Sequence, residues 1–263
     1  MQLKNREGFS QFDCEPDQTE GRTPGLSALI RLCDEEAWIG QCLESCINWF
    51  DEIIICLNLC SDRTPELVEQ WRKVHQSKIK VFDYPFKIHE MGPMHNKCPA
   101  DSVHSSAYYY NYCQAQSTKM LVCKVDGDLV FLDWAGPAIR ALIDQGHDRI
   151  RFEGRDIVGD DVAHIGSHPL CRTNGVYPVR PGTRYEQGPV TQNLKGVQDA
   201  DDAFDNEPAF VHMKWCRKSE QSATTQWPEN WREIPHFQRI YERRIPVAPY
   251  TGEYPSSMRQ FAQ

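Results

Sequence analysis

The chain has 263 residues, 40% of them hydrophobic and 25% charged, with 29 basic and 37 acidic side chains and a formal net charge of −8. That length suits one large α/β domain or two small ones. The acidic balance argues against a nucleic-acid partner, which needs a clustered basic surface, but leaves room for small anionic ligands met by a few local cations or a metal ion.

Residues 1–24 carry few apolar side chains and end at Thr23-Pro24-Gly25, so they are expected to form an arm or loosely held extension. They are polar and acidic, unlike a secretory leader. From Leu26 the pattern changes. Leu26 to Ile30 is a short apolar run closed by Arg31 and Asp34-Glu35-Glu36, which reads as a buried strand. Trp38, Ile39, Cys42, Leu43, Cys46 and Ile47 then recur at helical spacing. Asp51-Glu52 opens a second strand-like run, Ile53 to Leu57, and Asn58 to Thr64 is polar punctuation. Pro65 stands where the first turn of a helix begins, with Leu67, Val68 and Trp71 continuing it. Ile79 to Phe82 reads as a third strand. This β-α-β-α-β order with short connections predicts a parallel sheet with helices on its faces. Ligands on such sheets bind beyond the carboxyl ends of the strands, where Arg31 to Glu36, Asn58 to Asp62 and Asp83 stand.

Residues 84–104 lack a period and read as a loop, flexible enough to fold over a ligand, with Lys97 as a phosphate contact. His89, Glu90 and His95 in this loop fit no zinc spacing. A helix from about Val103 to Gln116 follows, with Tyr108, Tyr109 and Tyr112 on one side. Met120 to Val125 is a fourth strand running into Asp126-Gly127-Asp128; Leu129 to Phe131 resume the apolar pattern, and Trp134 to Ile143 make another helix. Residues 149–216 are turn-rich with short strands. The expected division is an arm over 1–24, one domain over 25–217 in halves 25–133 and 134–217, and a C-terminal helix and extended tail over 218–263 packed on it. No apolar run reaches the ~18–20 residues of a membrane span. The 11 cysteines form no C-x-x-C pair and sit mostly in apolar segments, so free buried thiols in a cytoplasmic protein are expected rather than a zinc site.

The strongest local signal is Val125-Asp126-Gly127-Asp128-Leu129-Val130. Two carboxylates around a glycine at the end of a buried strand lie close together and repel, so something must compensate them. A hard divalent ion, Mn²⁺ or Mg²⁺, does this and also takes phosphate oxygens from a ligand. A solvated turn is the plain alternative.

Three segments in order, L-S-A-L-I-R-L-C-D-E-E, W-F-D-E-I-I-I-C-L-N-L-C-S-D-R-T and K-V-D-G-D-L-V, resemble the nucleotide-sugar half of family-2-type GT-A glycosyltransferases. The resemblance covers roughly residues 26–133. It implies a GT-A-like, Rossmann-like α/β fold, a mainly parallel sheet flanked by helices with irregular C-terminal acceptor elements. It also implies transfer of a sugar from a nucleotide-sugar donor to an acceptor hydroxyl in glycan or polysaccharide biosynthesis. On this resemblance Arg31 and the acids Asp34, Glu35 and Glu36 line the nucleotide pocket, Asn58 and Asp62 stand near the base and ribose, and Asp126 and Gly127 near the ribose and metal. Asp128 becomes the principal metal ligand. Val211-His212-Met213-Lys214-Trp215 is similar to a stretch that places a histidine on the metal or donor phosphates, making His212 a third metal candidate after Asp126 and Asp128, with Lys214 to offset diphosphate charge; a strand histidine bonded to a carbonyl is the plain alternative. The acid usual at the end of the second strand is Leu57 or Asn58 here, so the base contact becomes a neutral amide.

An inverting transferase needs a carboxylate to take the acceptor proton. Glu186 and the Asp160-Asp161 pair are the leading candidates, with Asp156, Asp201 and Asp202 also available, and each reads equally as a solvated turn acid. His164 and His168 flank this region and could contact acceptor, while Trp134, Tyr177 and Trp215 read as core aromatics before sugar-stacking ones. The expected acceptor is a glycan or lipid-linked glycan, and peripheral attachment at the inner membrane face stays open. A P-loop and a nucleophile elbow are absent. Rival readings are a sugar nucleotidyltransferase, a catalytically silent nucleotide-sugar-binding partner and a zinc-binding interaction module.

Overall fold

A computed structural model of the chain describes residues 1–89, 93–158, 164–166, 175–188, 192–198, 203–204, 207–215, 247–249 and 256. The first sheet is built from β1 (Thr23–Leu32), β2 (Glu52–Leu57), β3 (Ile79–Asp83) and, later in the chain, β4 (Lys119–Asp126) and β8 (Val176–Pro178). Its order is β3-β2-β1-β4-β8. The first four strands run parallel and β8 closes the edge antiparallel. The crossovers are α1 (Ile39–Cys46), α2 (Thr64–Val74), the short α3 (Pro93–Lys97) and α4 (Ser106–Ala115). From β4 the chain turns into β5 (Leu129–Phe131), then α5 (Ala135–Asp144), β6 (Glu153–Val158) and β7 (His164–Gly166). After β8 come the hairpin β9 (Arg184–Gln187) and β10 (Gln192–Lys195), then β11 (Pro208–Trp215) and β12 (Val247–Pro249). The second sheet has the order β12-β7-β6-β11-β5. Among the described residues no helix is long and apolar enough to cross a membrane.

Strand alternation gives the first sheet two buried faces. Leu26, Ala28, Ile30 and Leu32 of β1, with Cys123 and Val125 of β4, pack against Ile39, Leu43 and Cys46 of α1 and Ile139 of α5. The intervening side chains face α4, where Leu29, Ile54, Cys56 and Val122 meet Tyr108, Tyr109, Tyr112 and Cys113. The tyrosines of α4 are not confined to one side as the sequence suggested: every residue from Ser106 to Gln114 is buried. The helix is enclosed by the sheet, the β9–β10 hairpin and the N-terminal segment.

That enclosure explains why residues 1–24 differ from the loose extension expected. Leu3 and Cys14 pair as an antiparallel bridge, with N–O distances of 2.7 and 3.0 Å. The Phe12 ring packs 4.7 Å from Phe86 and 5.5 Å from Tyr112. The Tyr108 hydroxyl lies 3.2 Å from the carbonyls of Leu3 and Phe12. Few apolar side chains were needed, because backbone carbonyls satisfy the buried tyrosine.

Cysteines 14, 42, 46, 56, 113 and 123 are buried free thiols. The amino-terminal end of the sheet is pinned by Glu52, a buried acid whose two oxygens accept from Ser27 Oγ at 2.6 Å, Lys80 Nζ at 2.6 Å, and Thr118 N and Oγ1 at 2.8 Å each. Burial opposes its charge, but these donors outweigh burial and hold the carboxyl below its ordinary value of 4.5. Its contribution to stability is therefore complete above that value and lost as pH falls through the lower folded one. Glu52→Gln is expected to cost about 1–3 kcal/mol at pH 7 and to flatten the acid-side decline of the thermal midpoint below pH 4.5. An unchanged decline in thermal melts from pH 7 to 3 would remove Glu52 from that account.

Candidate active site

Strand order reverses about β1: β2 and β3 lie to one side of it and β4 to the other, so the carboxyl ends of β1 and β4 form the switch point where such sheets bind ligands. The β1–β4 register sets Arg31 opposite Asp126. Arg31 Nη2 donates to Asp126 Oδ1 at 2.7 Å. Lys124, two residues before Asp126 and so on the same strand face, donates from Nζ to Asp126 Oδ2 at 2.9 Å. The Arg31 guanidinium lies over the Tyr110 ring of α4, with Cζ 3.2 Å from the ring centroid. Burial disfavours charge on Asp126, but Lys124 and Arg31 outweigh it and hold the carboxyl well below the usual range. Lys124 is likewise desolvated, and Asp126 outweighs this to keep the ammonium charged above its ordinary range. Exposure falls from 36% at the Asp126 side chain to 19% at Lys124 and 7% at Arg31, so the carboxylate is the most exposed group of this cluster.

Gly127 carries the chain from one sheet to the other. A Cβ there would lie 2.4 Å from Leu32 Cδ2 and 3.0 Å from Glu35 Cγ. Asp128 follows, buried, and its carbonyl accepts from Met213 N at 2.9 Å. The antiparallel β5–β11 pairing sets Leu129 opposite His212, which brings His212 Nε2 to 3.3 Å from Asp128 Oδ1. The fold thus collects Arg31, Asp126, Asp128 and His212 at one end of the sheet. Among the described residues no group of three or more His, Cys, Asp or Glu side chains is arranged to hold a metal ion.

The other expected ligand residues serve different partners. Asn58 Nδ2 donates to the carbonyls of Tyr84 and Phe86 at 2.8 and 2.7 Å, holding the exit of β3 instead of offering its amide outward. Asp34, at φ 56, accepts from Ser61 Oγ and Asp62 N. Asp62 accepts from Glu36 N and Thr64 N at 2.9 Å each, and Glu35 N donates to Thr64 Oγ1 at 2.7 Å. These contacts lace the β1–α1 loop to the β2–α2 loop. Lys97 is exposed at the end of α3. The loop expected to be flexible is pinned there by buried His95, whose ring nitrogens face the carbonyls of His89 at 3.1 Å and Gly188 at 3.0 Å. Glu186 pairs with Arg184 at 2.6 Å, on the face of β9 opposite Tyr185. Tyr177 is a core residue, its hydroxyl shared with Gln114 and Tyr185, and Trp134 packs on Phe204 at 5.0 Å. Glu90, Asp160, Asp161, His168, Asp201 and Asp202 lie outside the described residues, as do the side chains of Asp156, His164, Lys214 and Trp215.

Sequence reasoning passed over Lys124 and Tyr110. The signal for Lys124 was present: one lysine inside the apolar strand Met120-Leu121-Val122-Cys123-Lys124-Val125, in step with Asp126.

No protein-family model matches the sequence, and no curated protein does. Solved structures do. TarS 1–349 of S. aureus in complex with UDP-GlcNAc matches with a TM-score of 0.50 and 15% identity, over 82% of this chain and 65% of that chain. The chain has a GT-A-type fold. TarS 1–349 in a structure without a stated ligand matches over 59% of this chain and 47% of that one, at 16% identity and a TM-score of 0.40. Glucosyl-3-phosphoglycerate synthase from Mycobacterium tuberculosis, in complex with Mn²⁺, UDP and phosphoglyceric acid, matches over 51% of this chain and 43% of that one, at 15% identity and a TM-score of 0.35. The chain therefore spans less than two thirds of each of these chains. Within the GT-A-type fold, the turn at Gly127 has no room for a Cβ beside Leu32. Gly127→Ala is expected to destabilise the protein by about 1–3 kcal/mol through overpacking against Leu32 and Glu35, read as a lower thermal midpoint; an unchanged midpoint would show that the turn has slack.

Proposed function

We propose that the chain transfers a glycosyl group from a nucleoside diphosphate sugar to an acceptor hydroxyl. The observation that carries this reading is the convergence at the β1/β4 switch point of a charge-clamped carboxylate, Asp126, with an Asp128–His212 pair delivered by the second sheet. A carboxylate oxygen and an imidazole nitrogen 3.3 Å apart suit Mn²⁺ or Mg²⁺, which bind through one or two protein groups and complete their shell with phosphate oxygens. Asp128 and His212 would hold the ion, and the chemistry it supplies is neutralisation of the departing diphosphate.

The remaining tasks fall to the chain. Asp126, kept ionised and fixed by Arg31 and Lys124, presents its exposed edge to the ribose hydroxyls as an acceptor. The Arg31–Tyr110 contact keeps that edge rigid, so little ordering is left for binding to supply. Lys97 and the laced acids Asp34, Glu35 and Asp62 form the rim of the donor pocket, with Asn58 and Gly127 shaping it from behind. In an inverting reaction the base comes from the acceptor side, where Glu186 and the Asp160-Asp161 pair are the candidates. The likeness to TarS bound to UDP-GlcNAc makes UDP-sugars the first donors to test, with a glycan or lipid-linked glycan acceptor.

UDP-sugar hydrolysis with Mn²⁺ and no acceptor measures the donor half-reaction alone. Asp128→Asn and His212→Ala are each expected to lower its kcat/KM by about 10²-fold or more. Wild-type activity in both variants would refute the site, and nucleotide binding without turnover in the wild type would make the chain a silent binder.

A further inference from the structure

The His95 ring, in α3, has 1% of its surface exposed and a carbonyl oxygen at each nitrogen: Nδ1 lies 3.1 Å from that of His89 and Nε2 lies 3.0 Å from that of Gly188. Both neighbours are acceptors only. A neutral imidazole has one N–H and one lone pair, so it serves just one of them, whereas the imidazolium donates to both. A third oxygen decides which carbonyl the neutral ring gives up. Ser106 Oγ, in the first turn of α4, lies 3.5 Å from Nδ1. A hydroxyl can donate where a carbonyl cannot, so it can serve the bare Nδ1 while Nε2–H stays on Gly188. No carboxylate is among the ring's partners, so these oxygens are set against the cost of burying a charge. The ring also joins separate pieces of chain. His89 N donates to the His104 carbonyl at 2.9 Å, Gly188 follows β9, and the Gln187 side chain donates to the His95 carbonyl. The charged and titratable groups around it are Lys97 on α3, Lys87 and His89 on the segment before it, His104 ahead of α4, and the Glu186–Arg184 pair on β9. Burial, then the charges of His104, Lys87 and His95, holds the His89 ring below its ordinary range, so near neutral pH it is uncharged and adds no repulsion.

We propose that His95 is a proton-operated latch: its imidazolium ties the end of the 84–89 segment to the β9–β10 hairpin through α3, and loss of the proton releases the His89 carbonyl. The latch operates whatever ligand the protein takes, so it stands apart from the transferase reading. Histidine is the side chain whose charge changes between about pH 5 and 8. The tie is complete where the ring is charged, and its His89 arm is lost as pH rises through the titration of the ring. Ser106 makes the change reversible, because the uncharged ring keeps a partner on both nitrogens.

The test is nuclear magnetic resonance of the ring nitrogens in protein labelled with nitrogen-15 histidine, titrated from about pH 5 to 8. Amide hydrogen exchange of residues 93–98 is followed in parallel and corrected for its intrinsic pH dependence. One ring, absent from the spectrum of His95→Gln, is expected to carry protons on both nitrogens at the acid end and to lose the Nδ1 proton as pH rises. Over the same interval the 93–98 amides are expected to exchange about tenfold faster or more, as a hydrogen bond to a charged group is lost. A glutamine amide cannot donate to two opposed carbonyls, so His95→Gln should exchange fast at every pH with no step. Ser106→Ala withdraws the hydroxyl that serves the bare nitrogen and should move the step to higher pH, which a merely structural histidine would not show. A His95 ring that keeps one protonation state throughout, a titration without a step in exchange, a step that persists in His95→Gln, or one unmoved in Ser106→Ala overturns the proposal. If His95→Gln fails to fold, the Ser106→Ala shift identifies the ring and the exchange step decides.

Discussion

Arg31 and Asp126 stand opposite each other in the β1–β4 register and close an ion pair of 2.7 Å across the switch point. A slip of one residue in that pairing would turn every side chain of β4 to the other face. Lys124 and Asp126 would then be driven into the cluster of Leu26, Ile30 and Leu43, and Cys123 and Val125 toward α4. The desolvation cost of two misplaced charges excludes the slip, so the pair at the switch point also fixes the sheet. The turn that follows starts from this register: Gly127 threads between Leu32 and Glu35, β5 starts in the second sheet, and His212 meets Asp128.

The loops on the other side of the switch point are held by polar contacts with little apolar packing. Asp34 and Leu59 both adopt left-handed backbone, at φ 56 and φ 47. Asp34 tolerates this because its short carboxylate is taken up by Ser61 and Asp62. Leu59 has no such side-chain compensation and leaves an apolar side chain 55% exposed. Strain of this kind costs on the order of 1–3 kcal/mol each and persists only where the surrounding structure enforces it. The lacing through Glu35, Glu36, Asp62 and Thr64 is what keeps the two strained turns in register.

How much of this was legible in the sequence depended on whether the determining contact was local. The four parallel strands and their crossovers could be read because each is an apolar run closed by polar residues. Arg31, Asp126 and Asp128 could be singled out because each ends or follows such a run. Contacts between distant backbones left no trace. Tyr108 bonding the carbonyls of Leu3 and Phe12 ordered residues 1–24, and no composition count shows a carbonyl. Asn58 and Asp62 have the side chains of ligand-binding residues and spend them on Tyr84, Phe86, Glu36 and Thr64. The reverse error was made at Lys124, an interior strand position whose charge becomes meaningful only when the β1–β4 register brings Arg31 to the same carboxylate.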